Sequence, residues 1–279
     1  MSTVADGGTA PVLELRGVTV RFGSVPALSR VSLALRAGEV VAVLGENGSG
    51  KSTLVALLSG RLRPAEGELL VDGQPVHFRS PQQARRRGIA TVWPDLAIAP
   101  LMSVWRNFFL GDEPTRGVWP FRRLDVGRAE EITSRAMARV GVTGLDPGQP
   151  ASALQAGERQ SLAIARALHF GARALVIDEP TAPLTVAQRA LVLQSVVAAR
   201  DAGLAVLFVT HSPQYAHLVA DRFLLLGGGR VAGDLTREDV DVDDLTRLVA
   251  GGDELSRLTD SLRAAHPDRT GVRGGPSLR

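Results

Sequence analysis

The chain has no cysteine, a single lysine and a single tyrosine among 279 residues, and aromatic side chains make up only 4% of it. The missing cysteine excludes a disulfide scaffold, a thiolate metal site and thiol catalysis. No apolar run approaches the roughly 18 residues needed to cross a bilayer, and Met1 to Ala10 lacks the basic-then-apolar pattern of a signal segment. These absences predict a soluble, unexported chain and fit the cytoplasm. The scarcity of groups that titrate between neutrality and pH 10 also explains a pI near 10.3: the net charge is only +3, and nothing removes it until high pH. The pI is therefore a weak nucleic-acid signal, and no nucleic-acid partner is expected. The length suits one large α/β domain, or a core with a subdomain.

Of 32 basic residues all but one are arginine, and the exception is Lys51. It lies in Gly45-Glu46-Asn47-Gly48-Ser49-Gly50-Lys51-Ser52, which fits the phosphate-binding pattern G-x-x-x-x-G-K-[ST]. The apolar run Val40 to Leu44 before it reads as a buried strand, and Thr53 to Leu58 after it as a helix ended by Gly60. That is the strand, loop and helix context the pattern requires. Glycines let successive backbone N–H groups turn toward phosphates, and the helix N-terminus adds its positive dipole end. Lys51 supplies a compact charge on a flexible stem, and Ser52 offers its hydroxyl to Mg²⁺. Residues Gly45 through Thr53 are thus the expected ATP-binding set.

Residues 174–181 read as a second buried strand ending in two carboxylates, Asp178 and Glu179, and a proline that stops the sheet. Asp178 suits the metal role, while Glu179, one residue farther out, is placed to polarise an attacking water. A third strand, Leu204 to Thr210, delivers His211 at its carboxyl end, where ligands of open α/β sheets bind. By itself a strand-end histidine is an ordinary loop residue; in this company it is placed to contact the γ-phosphate. His77, His169, His217 and His266 have no such setting and read as structural.

Taken in this order, these residues resemble the nucleotide-binding subunits of ABC transporters over roughly residues 12–250. The resemblance implies an α/β fold: a P-loop NTPase (RecA-like) core, an antiparallel β subdomain, and a helical subdomain at about 95–157. It also implies a head-to-tail dimer with ATP held between one subunit's P-loop and the other's signature segment. That segment is Leu154-Gln155-Ala156-Gly157-Glu158-Arg159-Gln160, so Gln155, Ala156, Gly157 and Glu158 join the expected nucleotide contacts. Phe22 matches the aromatic that stacks on adenine, and Thr181 to Thr185 the loop that communicates between subunits, with Thr185 also capping a helix from Val186. Implied partners are transmembrane permease subunits, a second ATPase subunit in a homo- or heterodimer and, indirectly, a substrate-binding protein. The implied location is the inner face of the cell membrane, reached through the permease.

Within the family the chain looks most like the ATPases of sugar importers (ribose, xylose or fructose type). The cues are Gly88-Ile89-Ala90, Pro100 to Val104 with Asn107, Phe109-Leu110-Gly111, and Val249 to Gly252 closing a helix. Two positions depart from the family pattern. Its metal-contacting glutamine aligns with Pro94, which has no side-chain amide and no N–H; Asp95 is the nearby group left to approach the metal. The signature serine aligns with Gln155. Normal ATP binding with slowed hydrolysis is expected from these departures. A weakly hydrolysing regulatory subunit, or the degenerate half of a heterodimer, stays open as an alternative.

The remaining segments complete the layout. Short alternating pieces at 13–15, 18–22, 31–35, 67–71 and 76–78 predict antiparallel strands. From Asp95 to Gly157 the pattern turns helical, with Ala129, Ile132, Ala136 and Val140 on one face. Trp93, Trp105, Phe108 and Phe109 are candidate permease contacts, although core packing is the commoner use of such residues. Arg85 to Arg87 read as a solvated helix face. Residues 1–11 and most of 251–279 are expected to be disordered. No internal repeat or second P-loop is visible, which argues against a tandem cassette, and no coiled-coil insertion supports a role on DNA or ribosomes.

Overall fold

The computed structural model describes residues 10–118, 121–180 and 184–250. The expectations for residues 1–9, for 251–279 and for Thr181 to Pro183 lie outside them. Strand β1 (Leu13–Phe22) is hydrogen-bonded antiparallel to both β2 (Val25–Leu35) and β4 (Glu66–Val71). With the two-residue β5 (Gln74–Pro75) these form a four-stranded antiparallel sheet. Val76 and Phe78 are buried and His77 exposed, as alternation predicts, yet they lie outside the sheet. A period of two reports which side chains point inward; the backbone keeps one bond to β4, from the Val76 N–H to Leu69 O at 2.8 Å, but the ladder does not continue through His77 and Phe78.

The central sheet has six strands in the order β12 (Arg230–Thr236), β11 (Arg222–Gly227), β3 (Val40–Leu44), β10 (Ala205–Val209), β9 (Ala174–Asp178) and β6 (Ile89–Val92). All neighbours are parallel except the antiparallel edge pair of β11 and β12. A strand buried on both faces reads as a continuous apolar run, and β3 is one: Val40, Ala42 and Leu44 enter one core cluster, Val41 and Val43 the other. The second cluster joins the sheet to α1 (Lys51–Leu58) and the antiparallel subdomain. The first joins it to α5 (Ala156–His169), α6 (Val186–Asp201) and the helices of the 95–157 region.

That region holds α3 (Val104–Phe109) and α4 (Val126–Arg139), but it is not helical throughout. Between them β7 (Thr115–Arg116) and β8 (Arg123–Leu124) pair antiparallel, after Gly111 and Pro114 have interrupted the helical pattern. Ala129, Ala136 and Val140 are buried, as the face of α4 predicts. Trp105, Phe108 and Phe109 are core residues rather than surface contacts, and Trp93 lies beneath the Arg61 guanidinium, 3.8 Å from ring centroid to Cζ. Arg85 and Arg86 are exposed on α2 (Pro81–Arg86), followed by exposed Arg87. Beyond β10, α7 (Pro213–Val219) and α8 (Val242–Val249) complete the described helices. His217 stacks on Phe223, and His169 sits among Phe108, Phe109 and Phe170, so both serve packing.

Candidate functional site

Strand β3 delivers the chain into the loop at Gly45, which has φ of 155°. A Cβ there would lie 2.2 Å from the Leu226 carbonyl oxygen and 2.7 Å from Ser49 Oγ, so only glycine lets the loop pass this close to the end of β11. Helix α1 starts at Lys51 with no side chain capping its N-terminus and no acidic residue in its first turn. Its first N–H groups are therefore available to an anion. Lys51 is 8% exposed, and its Nζ donates to the Gly45 and Glu46 carbonyls at 2.7 and 2.9 Å. Burial pushes its pKa down, against the opposing pull of Glu179, Asp178 and Glu46. A buried cation held by loop carbonyls, with carboxylates near but not bonded to it, suits a ligand that brings its own negative charge.

Strands β9 and β10 end beside this loop. Asp178 is 7% exposed, and burial first, then the charge of Glu179, raises its carboxyl above the usual range, while Lys51 lowers it. Glu179 has φ of 45°, a left-handed conformation that costs a β-region residue on the order of 1–3 kcal/mol. Its N–H donates to Val209 O at 2.9 Å, and its Oε2 lies 2.8 Å from His211 Nδ1. An ionised carboxylate only accepts, so Nδ1 carries the proton of that bond and Nε2 is turned elsewhere. The left-handed turn at the end of β9 thus aims Glu179 across to the end of β10.

The structure brings together Lys51, Asp178, Glu179 and His211 with the exposed hydroxyl of Ser52 nearby in sequence on α1. No ready group of three metal-ligating side chains exists among the described residues. Ser52 and Asp178 nevertheless fit Mg²⁺, which typically takes one or two protein oxygens and completes its shell with waters and substrate phosphates. Phe22 stands 56% exposed at the end of β1, open to a stacking partner.

The signature segment is not brought to this P-loop. Gln155 is the N-cap of α5, its N–H donating to Glu158 Oε2 at 2.7 Å, and its side chain contacts Gln188 of α6. Among the described residues no hydrogen bond or ion pair joins Gln155 to Glu158 with the Lys51 site. Asp95 also lies apart. The charges acting on Lys51 and Asp178 do not include it, and with Pro94 it lines a cleft of about 300 Å³ that faces Arg159 and Gln160 of α5. Sequence reasoning missed Gln188, although Thr185-x-x-Gln188 is a readable capping box and Thr185 does cap α6.

Comparison with known proteins identifies the family and the fold. The family model for the ABC transporter matches residues 28–182. The ribose import ATP-binding protein RbsA 1 of Streptomyces coelicolor is 42% identical over 253 residues, covering 91% of this chain and 49% of the relative. The chain therefore spans about half the length of the ribose relatives it matches. It covers far more of two others: 96% of the fructose import ATP-binding protein FrcA of Rhizobium meliloti, at 36% identity, and 93% of the xylose/arabinose import ATP-binding protein XylG of Sulfolobus acidocaldarius, also at 36%. A nucleotide-free ATP-binding cassette from an ABC transporter superposes with a TM-score of 0.72 at 20% identity, covering 85% of this chain and 95% of that one, which supports the fold. With more than half of its length matched by the family model and nearly all of two relatives covered, the chain belongs to the ABC transporter family.

Proposed function

We propose that this chain binds ATP·Mg²⁺ and hydrolyses it to power a membrane importer for a sugar. The observation that carries the reading is the Glu179–His211 pair at the carboxyl ends of the adjacent strands β9 and β10, beside buried Asp178 and the buried Lys51 that opens α1. In this reading the α1 N–H groups and Lys51 bind the phosphates, and Ser52 and Asp178 hold the metal. Mg²⁺, when bound, offsets charge on the phosphate oxygens. Glu179 orients and polarises the attacking water, and His211 fixes the Glu179 carboxylate in place. Catalysis is positioning plus electrostatics, with little covalent work for the protein.

Sugar import is supported by relatives named for ribose, fructose and xylose/arabinose import. Permease subunits, a second ATPase subunit and a substrate-binding protein are the corresponding partners. Among the described residues no helix is long and apolar enough to cross a membrane, so the permease would hold the chain at the membrane.

Purified protein should turn over Mg·ATP. Lys51→Ala should lose nucleotide binding, whereas Glu179→Gln should keep binding and lose about 100-fold or more in turnover. A Glu179→Gln variant as fast as the parent would exclude the assigned base. Because Pro94 and Gln155 stand where the family carries glutamine and serine, Pro94→Gln combined with Gln155→Ser should hydrolyse several-fold faster; equal rates would show that the departures are neutral. Co-purification from membranes, with turnover assayed with and without the captured partner, tests the transport half of the proposal.

A further inference from the structure

Gln155 carries an amide at the position where a signature segment carries a hydroxyl. A hydroxyl rotates to suit its partner, but an amide has a donor end and an acceptor end, and only one of them suits a phosphate. The α5 capping box turns the Gln155 side-chain oxygen toward the Glu158 backbone N–H, and the neighbouring helix supplies a second, side-chain donor to the same oxygen. The Thr185 backbone N–H, which can only donate, lies 3.3 Å from Gln188 Oε1. That bond commits the Gln188 amide nitrogen to the opposite side, where it lies 3.3 Å from Gln155 Oε1. Gln155 must accept there, so its own NH₂ is not used by Gln188.

The contact is tight because Gly157 lets the two helices meet. A Cβ on Gly157 would fall 2.9 Å from Gln188 O and 3.0 Å from Gln188 Cβ. Glu158 is engaged as well, since its Oε2 accepts from the Gln155 N–H. Gln155 is exposed, so an NH₂ turned away from Gln188 is available to an outside group.

We infer that Gln188 is a positioning residue: it orients the Gln155 amide so that its NH₂ donates to the γ-phosphate of a nucleotide bound by the opposing subunit. The inference rests on the proposed function, because it requires that ATP be held between two copies. Thr185, the N-cap of α6, starts the relay.

The test uses the full chain with Glu179→Gln, so that ATP persists, and measures by sedimentation the ATP concentration that half-dimerises it. Gln188→Ala should raise that concentration about three- to tenfold, as expected when a donor to a charged group loses its orientation. With Gln155→Ser also present, the same substitution should change it by less than about twofold, because a hydroxyl needs no orienting partner. Gln188→Glu keeps an acceptor for the Thr185 N–H, so thermal stability should hold or rise while dimerisation weakens. Should Gln188→Ala fail to fold, the Gln188→Glu pair replaces it: the loss should be larger with Gln155 present than with Gln155→Ser, where only the added charge acts. Equal losses in both backgrounds, or none in either, would overturn the inference. Failure of the parent protein to dimerise with ATP would instead remove the two-copy reading on which it rests, and it is visible before any Gln188 variant is made.

Discussion

Asp178 ends β9 with 7% exposure and a carboxylate neighbour, and burial is the larger cause of its raised pKa. A raised folded-state pKa means that the folded protein holds this proton more tightly than the unfolded chain. The ionised form therefore opposes folding at neutral pH, and the penalty disappears as pH falls below the ordinary carboxylate range. Asp178→Asn should raise the Tm of the nucleotide-free protein at neutral pH by about 2–4 °C, a gain that shrinks toward acid pH. The same substitution should abolish the stabilisation that Mg·ATP confers on the parent. Thermal melts across pH, with and without Mg·ATP, check both outcomes. Lys51, Asp178, Glu179 and His211 were legible in the sequence because each sits at the end of a strand or loop whose pattern is local. Gln188 was not: its capping box can be read, but its contact with Gln155 joins residues on two different helices.

Helices α5 and α6 meet at their N-termini, and one glycine sets how closely. Replacing a helical glycine by alanine is favoured by about 1 kcal/mol on propensity alone. At Gly157 the added methyl would meet the Gln188 backbone at 2.9–3.1 Å, and overpacking of this kind costs about 1–3 kcal/mol. Gly157→Ala should therefore be destabilising. In α4, by contrast, Gly127 has no atom within 4 Å of the added position, so Gly127→Ala should stabilise by about 0.5–1 kcal/mol. Urea unfolding of the two variants should move in opposite directions; a shared sign would mean that propensity, not contact, governs Gly157. The misread elements belong to this scale too. Residues 76–78 show strand periodicity without a strand, and the β7–β8 pair lies inside a region that reads as helical, because pairing depends on what lies alongside a segment.

One chain presents a P-loop at the end of β3 and a signature segment at the start of α5, with no direct bond between them among the described residues. If each P-loop is completed by the other copy, turnover requires association. Specific ATPase activity of the isolated protein should rise with protein concentration, roughly doubling for each doubling while monomer predominates. A specific activity that is flat across that range, with the protein shown to be monomeric, would mean that a single chain suffices. The cleft lined by Pro94, Asp95, Arg159 and Gln160 also belongs to the whole molecule, since it brings the end of β6 against α5.

The sequence alone determined the phosphate loop, the three buried strands that carry the acidic and histidine residues, and the family resemblance. Each rests on a short run in which residue type and spacing are themselves the signal. The tertiary structure decided which of those ends meet. It joined Glu179 to His211, left Asp95 facing α5 instead of Lys51, and set Gln188 against Gln155. The reason is physical: a strand-end pattern follows from local backbone geometry, whereas which side chains touch depends on strand order and helix packing, which are settled only when the whole core closes.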